Sequence, residues 1–112
     1  MLKMISEETI KEAARRLADK FHPARIILFG SYARGTADKH SDVDLLVICR
    51  VKKDRRKLAV EMDMTLWGLG MAKDIIILTP EEFERDKHIP GTIARPAWKE
   101  GKVMYEHKKT RH

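Results

Sequence analysis

At 112 residues, with 43% hydrophobic and 36% charged side chains, the chain has the length of one domain and enough apolar material for a sheet covered by a few helices. No apolar run approaches the ~20 residues that cross a bilayer, and no signal peptide or lipidation motif is visible, so a cytoplasmic protein without a membrane role is expected. Cys49 is the only cysteine, which excludes an internal disulfide, and the net charge of +6 invites an anionic partner such as a nucleotide, RNA or an acidic protein face.

Ser6 caps a first helix, with Glu7 and Glu8 in its opening turn and Arg15, Arg16 and Lys20 toward its end, the order that complements the helix dipole. Ile10, Ala13, Ala14, Leu17 and Phe21 recur at three- and four-residue steps along one face, and Pro23 stops the run. Residues 25–29 (Arg-Ile-Ile-Leu-Phe) predict a buried strand ending at Gly30, followed by a short helical turn from Ser31 to Arg34 that Gly35 closes. Thr36 to Ser41 reads as a polar loop, and Asp42 to Cys49 as a second strand. Asp54 opens a further helix carrying two stripes: Leu58, Met62 and Leu66 on one side, Val60, Met64 and Trp67 on the other. Two stripes predict burial on more than one side, with Trp67 in the core or an interface and the core favoured. Ile75 to Leu78 forms a third strand headed by Asp74; Thr79 and Pro80 start another helix. Thr92 to Glu100 reads as helical despite Pro96, Lys102 to Glu106 as an edge strand, and residues 107–112 as a basic, disordered tail behind a single domain spanning 1–106.

The residues that can carry chemistry are three aspartates and one turn. In a strand, residues two apart project to one face with Cα atoms about 6.5–7 Å apart. Asp42 and Asp44 therefore aim at one region while Val43 enters the core, and Asp74 joins them if its strand is adjacent. Clustered carboxylates repel unless a hard cation neutralises them, and Mg²⁺ takes carboxylate oxygens, phosphates and water. The Asp-Val-Asp tripeptide alone is equally a loop closure in which Ser41 and Asp42 hydrogen-bond nearby backbone. Gly30 lets the backbone approach a phosphate, and Ser31 adds a hydroxyl and the N–H groups of the turn, although Gly-Ser also occurs in ordinary strand-to-helix turns. Arg34 and Lys39 could offset triphosphate charge or stand as solvated loop cations. Tyr32 could stack on a base or, as favoured, pack beneath the loop.

The order of these features is more specific than any one of them. Phe29-Gly30-Ser31-Tyr32-Ala33-Arg34-Gly35, then Ser41-Asp42-Val43-Asp44-Leu45-Leu46-Val47, then Asp74 on a later strand, resembles the DNA polymerase beta nucleotidyltransferase superfamily, in particular its minimal nucleotidyltransferase branch. The resemblance covers residues 1–106 and implies an α/β (α+β) nucleotidyltransferase fold, a mixed sheet flanked by helices with the site at one sheet edge. It further implies that Gly30 and Ser31 hold the β- and γ-phosphates of ATP. Asp42 and Asp44 would ligate two Mg²⁺ ions, and Asp74 would share the ion that activates the acceptor hydroxyl. In that branch small proteins pair with a HEPN-type ribonuclease toxin. The resemblance thus implies an antitoxin that transfers AMP from ATP to a tyrosine of its toxin and silences it. Two alternatives stay open: a homodimer that nucleotidylates a small-molecule hydroxyl, and a catalytically idle module that grips RNA or a partner, which the intact aspartates disfavour. Direct nucleic-acid binding is not the leading expectation.

Overall fold

A computed structural model describes residues 4–52 and 54–108. Helix α1 spans Glu7–Phe21 and opens where the Ser6 hydroxyl accepts the Thr9 N–H at 3.1 Å. It buries Ile10, Ala13, Ala14 and Leu17 and closes on His22 in the left-handed conformation. Strand β1 (Arg25–Phe29) leads through Gly30 into the one-turn helix α2 (Ser31–Arg34), as the sequence predicts. Strand β2 (Val43–Ile48) is followed by α3 (Arg55–Thr65), then β3 (Lys73–Leu78), α4 (Pro80–Asp86), α5 (Ala94–Glu100) and β4 (Lys102–Glu106).

The four strands form one mixed sheet in the order β3-β2-β1-β4. β1 runs antiparallel to both β2 and β4, while β2 and β3 are parallel. A parallel pair cannot be joined by a tight turn, so α3 serves as the crossover between β2 and β3. Alternate side chains of the sheet feed two apolar layers. Val43, Leu45 and Val47 pack with Ile26 and Leu28 under α1 and α3, joined by Leu17, Met62 and Leu66. Leu46 and Ile48 pack with Ile27 and Phe29 against Phe83, Ala94 and Ala97 of α4 and α5. Asp44 and Asp74 share the parity of this second layer, but they lie at the strand beginnings, whereas its helix-covered residues lie further along.

Three expectations need correction. Asp42 stands just before β2, outside the strand, and is exposed. Asp74 lies within β3 rather than ahead of it, because β3 starts at Lys73. Trp67 is not in the core: it is 84% exposed, and its stripe partners Val60 and Met64 are 53% and 68% exposed, because the sheet occupies only the Met62–Leu66 side of α3. Pro96 is accommodated because α5 begins at Ala94, which puts the proline in the first turn, where a backbone N–H has no partner to lose. In the expected tail, His107 still donates its N–H to Ala24 O at 3.0 Å, and residues 109–112 lie outside the described residues. None of the described helices is long and apolar enough to cross a membrane.

Candidate active site

The register of the sheet assembles the site. Asp44 pairs with Asp74 across the parallel β2–β3 ladder and with Phe29 across the antiparallel β1–β2 ladder. The residue after Phe29 is Gly30, which therefore arrives beside the Asp44 carboxylate. Gly30 has φ 76° and ψ −155°, a conformation that side chains rarely adopt. A Cβ there would overlap Asp44 Oδ2 and lie 3.2 Å from its Cγ. Backbone strain and a close approach thus both demand glycine at this position.

From Gly30 the chain turns at once into α2. The carbonyl of Gly30 accepts the N–H groups of Ala33 and Arg34, each at 3.1 Å, while Ser31 and Tyr32 precede them in the turn. The Tyr32 hydroxyl accepts the Ile5 N–H at 3.0 Å, so this ring anchors the start of α1 to the loop, in keeping with the favoured packing role. Arg34 is exposed and meets Glu100 of α5 at 3.7 Å. That pairing joins residues far apart in sequence, and no local signal announces it. Lys39 is exposed in the following loop and has no ion pair among the described residues.

The loop before β2 is closed by Asp38, not by Asp42. Asp38 Oδ1 accepts the His40 N–H at 2.8 Å, and the Asp38 N–H donates to Ser41 Oγ at 2.9 Å. The backbone hydrogen bond from His40 holds the Asp38 carboxyl below its usual range. With Asp38 in the turn, Asp42 is spared that duty.

The chain has eight aspartates. Asp19, Asp38, Asp54, Asp63 and Asp86 each take a hydrogen bond or ion pair. Asp42, Asp44 and Asp74 take none among the described residues. Burial pushes the Asp44 carboxyl above its ordinary range, the charges of Asp74 and Asp42 add to the rise, and Arg34 opposes it. The three carboxylates therefore feel one another at the uncovered end of the second layer. As the side chains stand, no three His, Cys, Asp or Glu residues among those described close on a single point tightly enough to ligate an ion. The donor set nevertheless suits a hard dication. It is all carboxylate oxygen, its charges raise one another's cost of ionisation, and the exposed Asp42 and Asp74 have no partner to hold them in place.

The nucleotidyltransferase domain family matches residues 10–103. The chain belongs to this family. A Methanocaldococcus jannaschii protein named "putative protein adenylyltransferase" is 33% identical over 105 residues, which cover 91% of this chain and 100% of that relative. A second protein of that organism with the same name is 48% identical over 56 residues, and there the match spans 50% of this chain but only 37% of the relative. Among solved structures, a Sulfolobus solfataricus protein described as a "putative nucleotidyltransferase" superposes with a TM-score of 0.60 at 22% identity, covering 88% of this chain and 78% of that one. A chain of the toxin–antitoxin MntA-HpeT, in a tyrosine-to-alanine mutant, gives 0.63 at 24% identity over 94% and 76% of the two chains. A toxin–antitoxin solved with AMP-PNP gives 0.58 at 22% identity over 89% and 74%. At these identities the structural likenesses establish the fold.

Proposed function

We propose that this nucleotidyltransferase moves AMP from ATP to a tyrosine hydroxyl of a partner protein, acting as the antitoxin that silences a HEPN-type ribonuclease toxin. The observation that carries the reading is the set of three partnerless aspartates, brought together by strand register beside a glycine that must be glycine. The full-length relative named as a protein adenylyltransferase and the toxin–antitoxin fold neighbours, one of them with AMP-PNP, support it.

In this proposal the reaction joins the acceptor oxygen to the α-phosphorus of ATP as the bond to pyrophosphate breaks, and the hydroxyl proton leaves. Gly30, lacking a side chain, lets the backbone lie against the triphosphate; Ser31 donates from its hydroxyl to the β- and γ-phosphates. Arg34 and Lys39 offset phosphate charge, and Arg34 must exchange Glu100 for the nucleotide to do so. Asp42 and Asp44 would hold two Mg²⁺ ions, with Asp74 at the ion on the acceptor side. Bound there, the metals would supply charge stabilisation for the attacking and leaving oxygens of an in-line displacement.

The test is incubation with the HEPN-type protein encoded beside this chain, in ATP and Mg²⁺, followed by mass spectrometry. The expected product is that protein carrying one or more AMP groups on tyrosine. An unmodified partner together with efficient adenylylation of a small-molecule alcohol would overturn the reading.

A further inference from the structure

The outer face of α3 carries Val60, Met64 and Trp67 at steps of four and three residues, which places them in one row along the helix. Single exposed apolar side chains are ordinary; a contiguous row ending in a tryptophan is not. Trp67 is also held ready. Arg16 Nη1 donates to Thr65 O and Trp67 O, both at 3.3 Å, so the backbone beneath the ring is tied to α1 while the ring itself is exposed. An anchor presented on a fixed backbone loses less freedom on binding.

The row leads to the site. Lys73, the residue before Asp74, pairs with Asp63 in the last turns of α3 at 3.1 Å, so that end of the helix lies alongside the start of β3. A protein seated on the row would reach toward Asp74. At the other end, Arg56 and Lys57 precede Val60 by four and three residues, are exposed, and make no ion pair among the described residues. Arg55, by contrast, is committed to Glu82 at 3.0 Å. The face is therefore apolar toward the site and basic away from it, with Glu61 as a flanking acid.

We propose that the Val60–Met64–Trp67 row of α3 is the docking face for the acceptor protein, which presents an apolar patch edged by carboxylates that meet Arg56 and Lys57. This rests on the adenylyl-transfer reading for its partner but makes a separate claim about where that partner binds. A second copy of this chain fits less well, since a self-interface on the row would crowd the approach to Asp74.

The experiment compares the wild-type chain with two variants, Met64→Ser/Trp67→Ser and Arg56→Glu/Lys57→Glu, for affinity to the HEPN-type protein encoded beside it. All four positions are exposed, so thermal stability should stay near wild type, and titration with ATP and Mg²⁺ should give unchanged affinity. The serine variant should weaken partner binding by about 30-fold or more, as loss of an aromatic hot spot does. The charge-reversed variant should slow association and flatten its dependence on salt. Wild-type affinity in the serine variant overturns the docking face, as does a wild-type chain that does not bind this protein. Conversion of a dimer to a monomer with partner affinity unchanged overturns it in favour of a self-interface. If the wild type binds through this row yet transfers no AMP, the docking face stands and the adenylyl-transfer reading falls.

Discussion

Gly30 and Asp44 form a single unit at the residue scale, because the space a side chain would need at Gly30 is filled by the Asp44 carboxylate. Gly30→Ala should lower thermal stability through both overlap and positive φ, and should abolish detectable ATP binding in calorimetry; a variant with wild-type affinity would place the nucleotide elsewhere. Ser31→Ala is milder. It should weaken ATP binding by about 1.5–3 kcal/mol, the worth of a hydrogen bond to a charged group. Asp44→Asn removes a carboxylate whose ionisation is opposed by burial, Asp74 and Asp42. A raised carboxyl pKa favours the fold only while the group is protonated, so the wild type loses that contribution as pH rises through the raised value. The asparagine variant should therefore melt at or above the wild-type temperature at neutral pH, with the difference closing in acid, while transfer falls by more than about 100-fold. A variant that melts well below wild type at neutral pH would show that the carboxylate is structural.

Among the elements, α1 depends on a charged knot that the sequence displays only in part. Glu12 accepts from Arg15 at 2.7 Å and from Arg16 at 3.0 Å, and these hydrogen bonds hold its carboxyl down to about 2. A depressed carboxyl contributes stability above its unfolded value that disappears as pH falls through the folded one. Glu12→Gln should accordingly lower the melting temperature near neutrality and match wild type as pH drops from about 4.5 toward 2. An unchanged difference across that window would contradict the pairing. The intrahelical half of this knot is legible as three- and four-residue spacing, but the reach of Arg16 to the α3 terminus is not, because it depends on how two helices pack. The same division runs through the whole chain. Helix caps, the strand before Gly30 and the single turn after it are local chemistry and could be read directly. The exposure of Trp67 could not, since an apolar stripe looks alike whether the chain's own sheet or another protein covers it. Nor could the Asp44–Asp74 pairing, which needed β2 and β3 to be neighbours, or the Arg34–Glu100 contact, which needed α5 folded back beside α2.

For the whole molecule, the sheet separates support from chemistry. Helices cover one layer under α1 and α3, and α4 with α5 cover the far part of the other, leaving the beginnings of β2 and β3 open where the aspartates stand. An open site beside an exposed apolar row suits an acceptor that brings its own surface. The most direct measurement follows the phosphorus. The chain and the HEPN-type protein encoded beside it are incubated with Mg²⁺ and ATP labelled at either the α- or the γ-phosphate. The account predicts that label reaches a tyrosine of the partner from the α-position only, with pyrophosphate released, and that Asp74→Asn abolishes transfer without weakening the complex. Label arriving from the γ-position, or undiminished transfer by Asp74→Asn, would contradict it.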